Sequence, residues 1–221
     1  MRPKIINPLK KLLVTENKAL HSLSVLPSNW PKKLNNSDID LVHLHWIQNE
    51  MISIKDIGNI RKPIVMNTHD MWPFCGAEHL NFDGRWKKEY SRKNRPENES
   101  GFDLNKYIWE LKKRYWKKAF HIVSPSKWMA QCVKKSALMK NWPCTVIPNC
   151  IDTKKWGPLN KSFSRKLLNL PDNNPILIFG TFNSNNQFHK GFDLLKKSLD
   201  FLKTINEDFN LVIFGQNKPK N

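Results

Sequence analysis

The chain has 221 residues, and its 37 Lys and Arg residues exceed its 19 Asp and Glu residues to give a formal charge of +18. That charge favours anionic partners such as nucleic acid, acidic lipid or phosphorylated small molecules. Codon bias in an A/T-rich genome, which enriches lysine and asparagine, explains the charge equally well. The four cysteines show neither CxxC spacing nor the density of a secreted disulfide scaffold, which indicates reduced cytosolic thiols. There is neither a signal-peptide pattern nor an apolar run of about 20 residues, so we expect a soluble or peripheral protein.

The first residues form a basic amphipathic segment. Ile5, Ile6, Leu9, Leu12 and Leu13 follow helical spacing, with lysines between them. Such a helix either lies on an anionic membrane surface or packs on the protein's own core, and the second arrangement is the more common.

The next part of the chain alternates apolar strands with helical patterns. DIDLVHLHW (38–46) and KPIVMNT (62–68) have the composition of strands, and ISIKDIGNI between them fits a short helix. Residues 80–102 are polar and contain Gly84, Pro96 and Gly101, which predicts a long loop. The apolar second strand is typical of a buried parallel sheet.

A helix is predicted over residues 103–119, with Asp103 as its N-cap and lysines in its last turns. Residues 121–126 form a short strand that ends at Ser126, which caps a helix over KWMAQCVKKSALM. CTVIPN (144–149) is the next strand. Strands that alternate with helices in this way predict a doubly wound, Rossmann-type α/β fold.

The Trp-Gly-Pro at 156–158 divides the chain into predicted domains over residues 1–157 and 158–221. The second domain contains a short helix (SFSRKLLNL), two strands (PILIFG and NLVIFG) and a helix over 191–203, which predict one right-handed βαβ unit. Two strands cannot build a sheet that is covered on both faces. Either they extend the first sheet or the chain is a fragment, and we favour the fragment.

Histidines cluster in the first domain. His43 and His45 alternate on one face of a predicted strand, and His69, Asp70 and His79 follow. Two imidazoles at a strand end can hold one metal ion, which makes a metal-dependent hydrolase built on His43, His45, His69 and Asp70 one hypothesis. The alternative, hydrogen-bonded histidines in a half-buried strand, is favoured because no further metal-binding motif follows.

His69 directly follows a predicted strand, at the position where ligands of open α/β sheets bind. Its imidazole can accept or donate a proton near neutral pH, and Asp70 can orient it or bind a sugar hydroxyl. Trp72 and Phe74 provide either flat walls for a sugar ring or core packing.

In the second domain, HKGFDLL places Lys190 where a helix begins, near Gly191. A helix N-terminus has unpaired N–H groups and partial positive charge, so a lysine beside it forms a phosphate site. The preceding FGTFNSNNQF predicts a polar loop that can approach a ligand. An exposed lysine without a ligand remains the alternative.

These motifs occur in an order that resembles family 4 glycosyltransferases of bacterial surface-polysaccharide synthesis, nearest to the colanic-acid-type enzymes. The motifs are THDMWPFCGAEH, DGRW, NRP, SPSKWMAQCVKKSALM, VIPNCID, ILIFG and HKGFDLL, and they extend from about residue 38 to 215. THDMWPF is the most specific of them.

The resemblance implies a GT-B architecture, in which two Rossmann-like domains bind a nucleotide-sugar donor and a saccharide acceptor. It implies no cofactor, no metal ion and retention of anomeric configuration. His69 matches the cleft histidine near the transferred sugar, and Asp70 is assigned with it to catalysis. A second group of residues is expected to bind the nucleotide-sugar donor, and within it Lys190 matches the lysine that binds the diphosphate. The group consists of Lys190, Gly191, Gly180 and Asn149.

The chain also departs from the family pattern. Cys150 stands where glycine is usual in the interdomain turn, which predicts mild strain if that position needs a positive φ. No arginine precedes Lys190, so one phosphate contact is missing or comes from His189. The family's first Gly-rich unit and its later glutamate segment are absent. We therefore expect the middle of a longer enzyme, with little or no activity in the 221-residue chain alone.

The expected partners are a nucleotide-sugar, a lipid-linked or oligosaccharide acceptor and an anionic membrane surface, which predicts a cytoplasmic protein at the inner membrane. A nucleic-acid-binding module is a third hypothesis. The sequence lacks helix-turn-helix, RRM and OB signatures, and its lysines are spread along the chain, so nucleic acid is not an expected partner.

Overall fold

The computed structural model describes residues 2–181, 188–205 and 208–215. It contains two compact units, Met1–Asn149 and Cys150–Asn221. The domain boundary predicted at residues 157 and 158 stays a prediction. The polar loop predicted before Lys190 lies for the most part outside the described residues, because they omit 182–187.

The first unit alternates strands and helices, as predicted. Its elements are α1 (Arg2–Lys10), β1 (Leu13–Val14), α2 (Trp30–Asn35), β2 (Val42–His45), α3 (Ile54–Gly58), β3 (Ile64–Asn67), α4 (Arg85–Lys88), β4 (Ser100–Gly101), α5 (Leu104–Tyr115), β5 (His121–Ser124), α6 (Lys127–Lys135) and β6 (Cys144–Val146). A short 3₁₀ turn, Arg92–Asn94, follows α4.

The central sheet has four parallel strands in the order β2-β3-β5-β6. Val42, Leu44, Ile64 and Met66 are buried, and the residues that alternate with them along β2 and β3 are more exposed. Parallel strands all end at one edge of their sheet, so His45, Asn67 and Ser124 lie along the same edge. The α/β class with a parallel, Rossmann-like sheet is confirmed.

Two predicted helix caps are present. The Asp103 carboxylate accepts a hydrogen bond from the Lys106 backbone N–H at 2.9 Å, and the Ser126 hydroxyl accepts one from Met129 at 3.1 Å. Helix α5 ends at Tyr115, earlier than predicted. The chain turns there because Trp116 packs into the core and its indole N–H donates to the Ile54 carbonyl at 2.9 Å.

The segment predicted as a loop over residues 80–102 contains regular structure, so that prediction was wrong in part. Helix α4 lies within it because Arg85 and Trp86 are buried at 2% and 5% exposure. Strand β4 pairs antiparallel with β1, in a register that places Leu13 opposite Gly101. The polar composition of the segment concealed its packing.

Helix α1 ends at Lys10, before Leu12 and Leu13, and the N-terminal segment packs only some of its apolar residues on the core. Ile6 and Leu13 are buried, whereas Ile5, Leu9 and Leu12 are exposed. The two arrangements considered for this segment are therefore not exclusive. None of the helices in the described ranges is long and apolar enough to cross a membrane.

The second unit contains α7 (Lys161–Leu167), β7 (Ile176–Gly180), α8 (Phe192–Thr204) and β8 (Asn210–Phe214). Strands β7 and β8 pair in parallel, as predicted. Cys150 is not among the described residues with positive φ, so the condition on which strain was predicted there is not met.

Candidate functional site

A row of polar side chains crosses the carboxyl edge of the sheet from β3 to β2 and back. His43 Nε2 is 2.8 Å from Asn67 Oδ1, and His45 Nε2 is 3.3 Å from His43 Nδ1. His45 Nδ1 is in turn 3.0 Å from His69 Nε2. We call these four residues the histidine row. It brings His69, the predicted catalytic histidine, into hydrogen-bond contact with both histidines of β2.

The position of His45 in the middle of the histidine row favours its neutral form. The pKa of His45 is lowered by partial burial and then by the nearby His43 and His69 rings. An added proton in the middle of the row would lie beside two further imidazoles, which opposes the charged form. The lowered pKa favours the neutral form of His45, in which one ring nitrogen donates a hydrogen bond and the other accepts one.

Asp70 does not contact the imidazole of His69, contrary to one role considered for it. Its Oδ2 lies 2.6 Å from His79 Nδ1, and its Oδ1 accepts the Trp72 backbone N–H at 3.0 Å. His79 Nε2 is 2.8 Å from the Ser22 hydroxyl. Hydrogen bonds that link a serine, a histidine and an aspartate in this order resemble a hydrolytic triad. Ser22 is only 1% exposed, so the arrangement anchors the loop after β3 rather than presenting a nucleophile.

The loop after Asp70 is a buried part of the core. Every residue from Met71 to His79 is buried, including Trp72 and Phe74 at 0% exposure. The proposed sugar-stacking role for these two rings was therefore wrong, and core packing accounts for them. This burial requires partners for the loop's carbonyl groups, because an unpaired buried carbonyl is costly.

Lys112 of α5 supplies those partners. Its ammonium group donates to the carbonyls of Cys75 at 3.0 Å and Gly76 at 2.7 Å, and to the carbonyl of Trp72. It also lies 3.8 Å from the centre of the Trp72 ring. The lysine thus joins α5 to the loop that follows the catalytic candidates.

Burial lowers the pKa of Lys112 to about 7, while Cys75, Glu78 and Asp70 act in the opposite direction. In the unfolded chain a lysine keeps its proton up to about pH 10.4. Because the unfolded state then binds more protons, the stability contributed by Lys112 rises with pH above 7. Between pH 6 and 8 we expect the free energy of unfolding of the wild-type protein to rise by about 1 kcal/mol relative to that of Lys112→Met. Urea unfolding of both proteins at the two pH values measures this difference, and equal differences would contradict it.

A second buried polar group lies beside this loop. The Tyr90 hydroxyl donates to Glu78 Oε1, and the Asn81 amide donates to the same oxygen at 2.8 Å. Burial raises the pKa of Glu78, Tyr90 and the Cys75 thiol. Cys75 therefore remains a protonated core residue, and a catalytic thiolate at this position is not supported.

Arg85 anchors the segment between the loop and α5. Its guanidinium is 2.6 Å from Asp103 Oδ2, donates to the Ser91 carbonyl at 3.1 Å, and lies 4.6 Å from the centre of the Tyr90 ring. Burial alone would lower the pKa of Arg85, but the hydrogen bond and charge of Asp103 outweigh it and raise the pKa. Burial would raise the pKa of Asp103, and Arg85 instead holds it low.

The metal hypothesis gains no support. Within residues 2–181, 188–205 and 208–215, no group of three or more His, Cys, Asp or Glu side chains is arranged to hold a metal ion. His43, His45 and His69 bond to each other in a line rather than converging on one point, and Asp70 bonds to His79.

A cavity of about 540 Å³ lies between the 3₁₀ turn and the start of α5. Its lining includes Arg92, Phe102, Lys106 and Tyr107. No member of the histidine row lines it, so this cavity is separate from the candidate catalytic residues.

The donor-binding candidates belong to the second unit, apart from Asn149, which is exposed at the end of the first. Lys190 is exposed and directly precedes Gly191, the N-cap of α8, whose φ of 74° suits glycine. Gly180 ends β7, where an added Cβ would overlap the Phe214 ring. Packing therefore explains Gly180, and its donor-binding role stays a prediction.

Comparison with known proteins supports a family assignment. A family model described as Glycosyltransferase Family 4 matches residues 4–155, more than half of the chain. The chain belongs to glycosyltransferase family 4. Neither a curated protein nor a solved structure matches it. In this family 4 glycosyltransferase the matched range contains the whole histidine row, whereas Lys190 and Gly191 lie outside it.

Some members of the site were not identified from the sequence of this glycosyltransferase. The sequence predicts Asn67 only as a strand residue. The signal that identifies it is a pair of spacings: His-x-His in one strand, and Asn-x-His at the end of the next. Together these spacings place all four polar side chains at one edge of the sheet. Lys112 was read as one of several helical lysines. A lysine on the apolar face of a helix, at the spacing of Ile108 and Leu104, is the signal that identifies it.

Proposed function

We propose that this family 4 glycosyltransferase moves a sugar from a nucleoside-diphosphate sugar to a lipid-linked saccharide in surface-polysaccharide synthesis. The observation that carries the proposal is the histidine row at the carboxyl edge of the sheet, within the range matched by the family. A retaining reaction without a metal ion is part of the proposal and follows from the resemblance to colanic-acid-type enzymes.

Charge builds up on the departing diphosphate as the anomeric carbon becomes oxocarbenium-like. We assign Lys190 and the first N–H groups of α8 to that charge, because preorganised dipoles and cations stabilise developing charge most effectively. We assign His69 to the reacting sugar. Its ring is exposed and its only described hydrogen bond is to His45, so its Nδ1 remains open to a ligand.

Peripheral attachment to an anionic membrane is a further part of the proposal. Exposed Ile5, Leu9 and Leu12 lie among Lys4 and Lys11 on the outer side of the N-terminal segment. Apolar side chains flanked by lysines are typical of helices that lie in a membrane interface. A lipid-linked acceptor would be reached at that surface.

The test is a transfer assay with radiolabelled nucleoside-diphosphate sugars and a lipid-linked saccharide fraction. We expect the 221-residue chain to label the acceptor slowly or not at all, and a version extended by the segments that the resemblance finds missing to label it from one donor. His69→Ala should lower the rate at least about 100-fold, because a positioned acid–base or polar group contributes about 10²–10⁴-fold. His121→Ala is the matched control, since His121 is an exposed histidine of the same sheet that bonds to Thr145.

Each outcome has a distinct meaning. If no donor labels the acceptor with either this chain or a version extended by the segments that the resemblance finds missing, the transfer proposal is wrong. If His69→Ala and His121→Ala have equal rates, the role of His69 is wrong. A rate as high as that of intact family members would contradict our expectation that the chain alone has little activity.

A further inference from the structure

The histidine row has a direction that its hydrogen-bonding groups determine. An amide oxygen can only accept a hydrogen bond, so Asn67 Oδ1, 2.8 Å away, requires the proton on His43 Nε2. A neutral imidazole has one N–H, and His43 Nδ1 is therefore an acceptor. The row begins with a fixed tautomer at His43.

The same reasoning passes along the row. His43 Nδ1 can only accept, so His45 Nε2, 3.3 Å away, is the donor and His45 Nδ1 becomes an acceptor. His69 Nε2, 3.0 Å from that acceptor, then donates to it. His69 is left with a bare lone pair on Nδ1. The protonation of three imidazoles thus follows from one amide.

We propose that Asn67, His43 and His45 are positioning residues that hold His69 in the tautomer whose Nδ1 accepts a hydrogen bond from a ligand hydroxyl. The inference rests on the proposed function for the nature of that ligand. It adds to that function the direction of the hydrogen bond between His69 and its ligand. His69 Nδ1 accepts from a hydroxyl of a sugar and does not donate to a phosphate oxygen.

The neighbouring groups are compatible with this role. Asp70 is the carboxylate next to His69 in the chain, but its oxygens are bonded to His79 and to the Trp72 N–H. Among the hydrogen bonds of the described residues, none joins Asp70 to the His69 ring. The ring centroids of His43 and His45 are 4.1 Å apart, and those of His45 and His69 are 5.3 Å apart. Each ring therefore also restricts the rotation of the next.

The experiment is nitrogen NMR of the histidine side chains in the 221-residue chain at about pH 8, where an ordinary imidazole is neutral. We expect His43, His45 and His69 each to carry the proton on Nε2 alone, with a hydrogen-bond coupling between His69 Nε2 and His45 Nδ1. A proton on Nδ1 of His45 and His69, or a mixture of tautomers at His69, would overturn the proposal.

Three variants test the role of each partner. Asn67→Asp keeps an acceptor that cannot donate, so His69 should retain its tautomer. Asn67→Leu removes the acceptor at the start of the row, and His45→Phe interrupts the row in the middle. In both variants His69 should become a mixture of tautomers. His121→Gln, outside the row, should change nothing. His69 signals unchanged in both Asn67→Leu and His45→Phe would show that the row does not hold its tautomer.

The spectra are independent of the transfer assay. They require no donor or acceptor, so a failed transfer assay leaves the tautomer result intact, and the reverse also holds. Where transfer is measurable, Asn67→Asp should keep most of the rate and Asn67→Leu should lose about as much as His45→Phe. If Asn67→Asp lowers the transfer rate as much as Asn67→Leu, the proposed direction of hydrogen bonding along the row is wrong.

Discussion

Substitution of Lys112 by methionine should destabilise the protein by about 3 kcal/mol at pH 8. Methionine has a similar length but cannot donate a hydrogen bond, so the carbonyls of Trp72, Cys75 and Gly76 lose the group that donates to them. At pH 8, above its pKa of about 7, Lys112 is mostly a neutral amine whose two N–H groups are shared by these carbonyls. A buried acceptor left unpaired costs about 1–3 kcal/mol, and the recovered cost of burying the lysine offsets part of the sum. Equilibrium unfolding in urea measures the difference.

The control is the next residue of the same helix. Lys113 is 53% exposed and pairs with Glu89 at 2.9 Å, an arrangement that contributes about 0–1 kcal/mol. Lys113→Met should therefore unfold close to the wild-type urea concentration. If the two variants lose equal stability, Lys112 does not anchor the loop as described.

Substitution of Arg85 by methionine should have an effect of similar size or larger, about 3–5 kcal/mol. Removing one member of a buried ion pair leaves the other charge uncompensated. Asp103 would lose the partner that lowers its pKa, and Asp103 is also the N-cap of α5. We therefore expect the pKa of Asp103 to rise in Arg85→Met, which an NMR titration of its carboxyl carbon detects.

Two further variants define the cause. Lys87→Met, on the exposed side of the same short helix, should change stability by no more than about 0.5 kcal/mol. Arg85→Lys keeps the charge but cannot reproduce the planar fork that contacts Asp103, Ser91 and Asn94. It should fall between wild type and Arg85→Met. A fully stable Arg85→Lys would show that charge alone matters.

The strands of the sheet were predictable because burial gives them a simple pattern. Val42 and Leu44 face the core while His43 and His45 do not, and this alternation is visible in the sequence. The N-caps Asp103 and Ser126 were predictable for a similar reason, since each short polar side chain precedes a helical pattern and bonds locally.

The interior of the long polar segment was not predictable from local patterns. Arg85 is buried only because Asp103, distant in sequence, pairs with it. The same applies to Lys112, whose partners lie in a loop that precedes it by more than thirty residues. Composition places charged residues at the surface, and only tertiary contacts reverse that expectation.

The candidate site was predictable as a set of residues but not as a network. His69 at the end of its strand, and the shared face of His43 and His45, followed from strand geometry. Their contacts with each other depend on the register of β2 against β3, which places His45 opposite Asn67. A shift of one residue would turn the row onto the other face of the sheet.

The pairing of β1 with β4 has a consequence for synthesis of the chain. Leu13 and Val14 leave the ribosome long before Ser100 and Gly101, their partners, have been made. During that interval the first strand is an unsatisfied edge, the kind of surface on which nascent chains associate wrongly. Lys10 and Lys11 lie just before it, separated from the strand by Leu12, and nearby like charges oppose the pairing of such an edge with another copy until its own partner has been made.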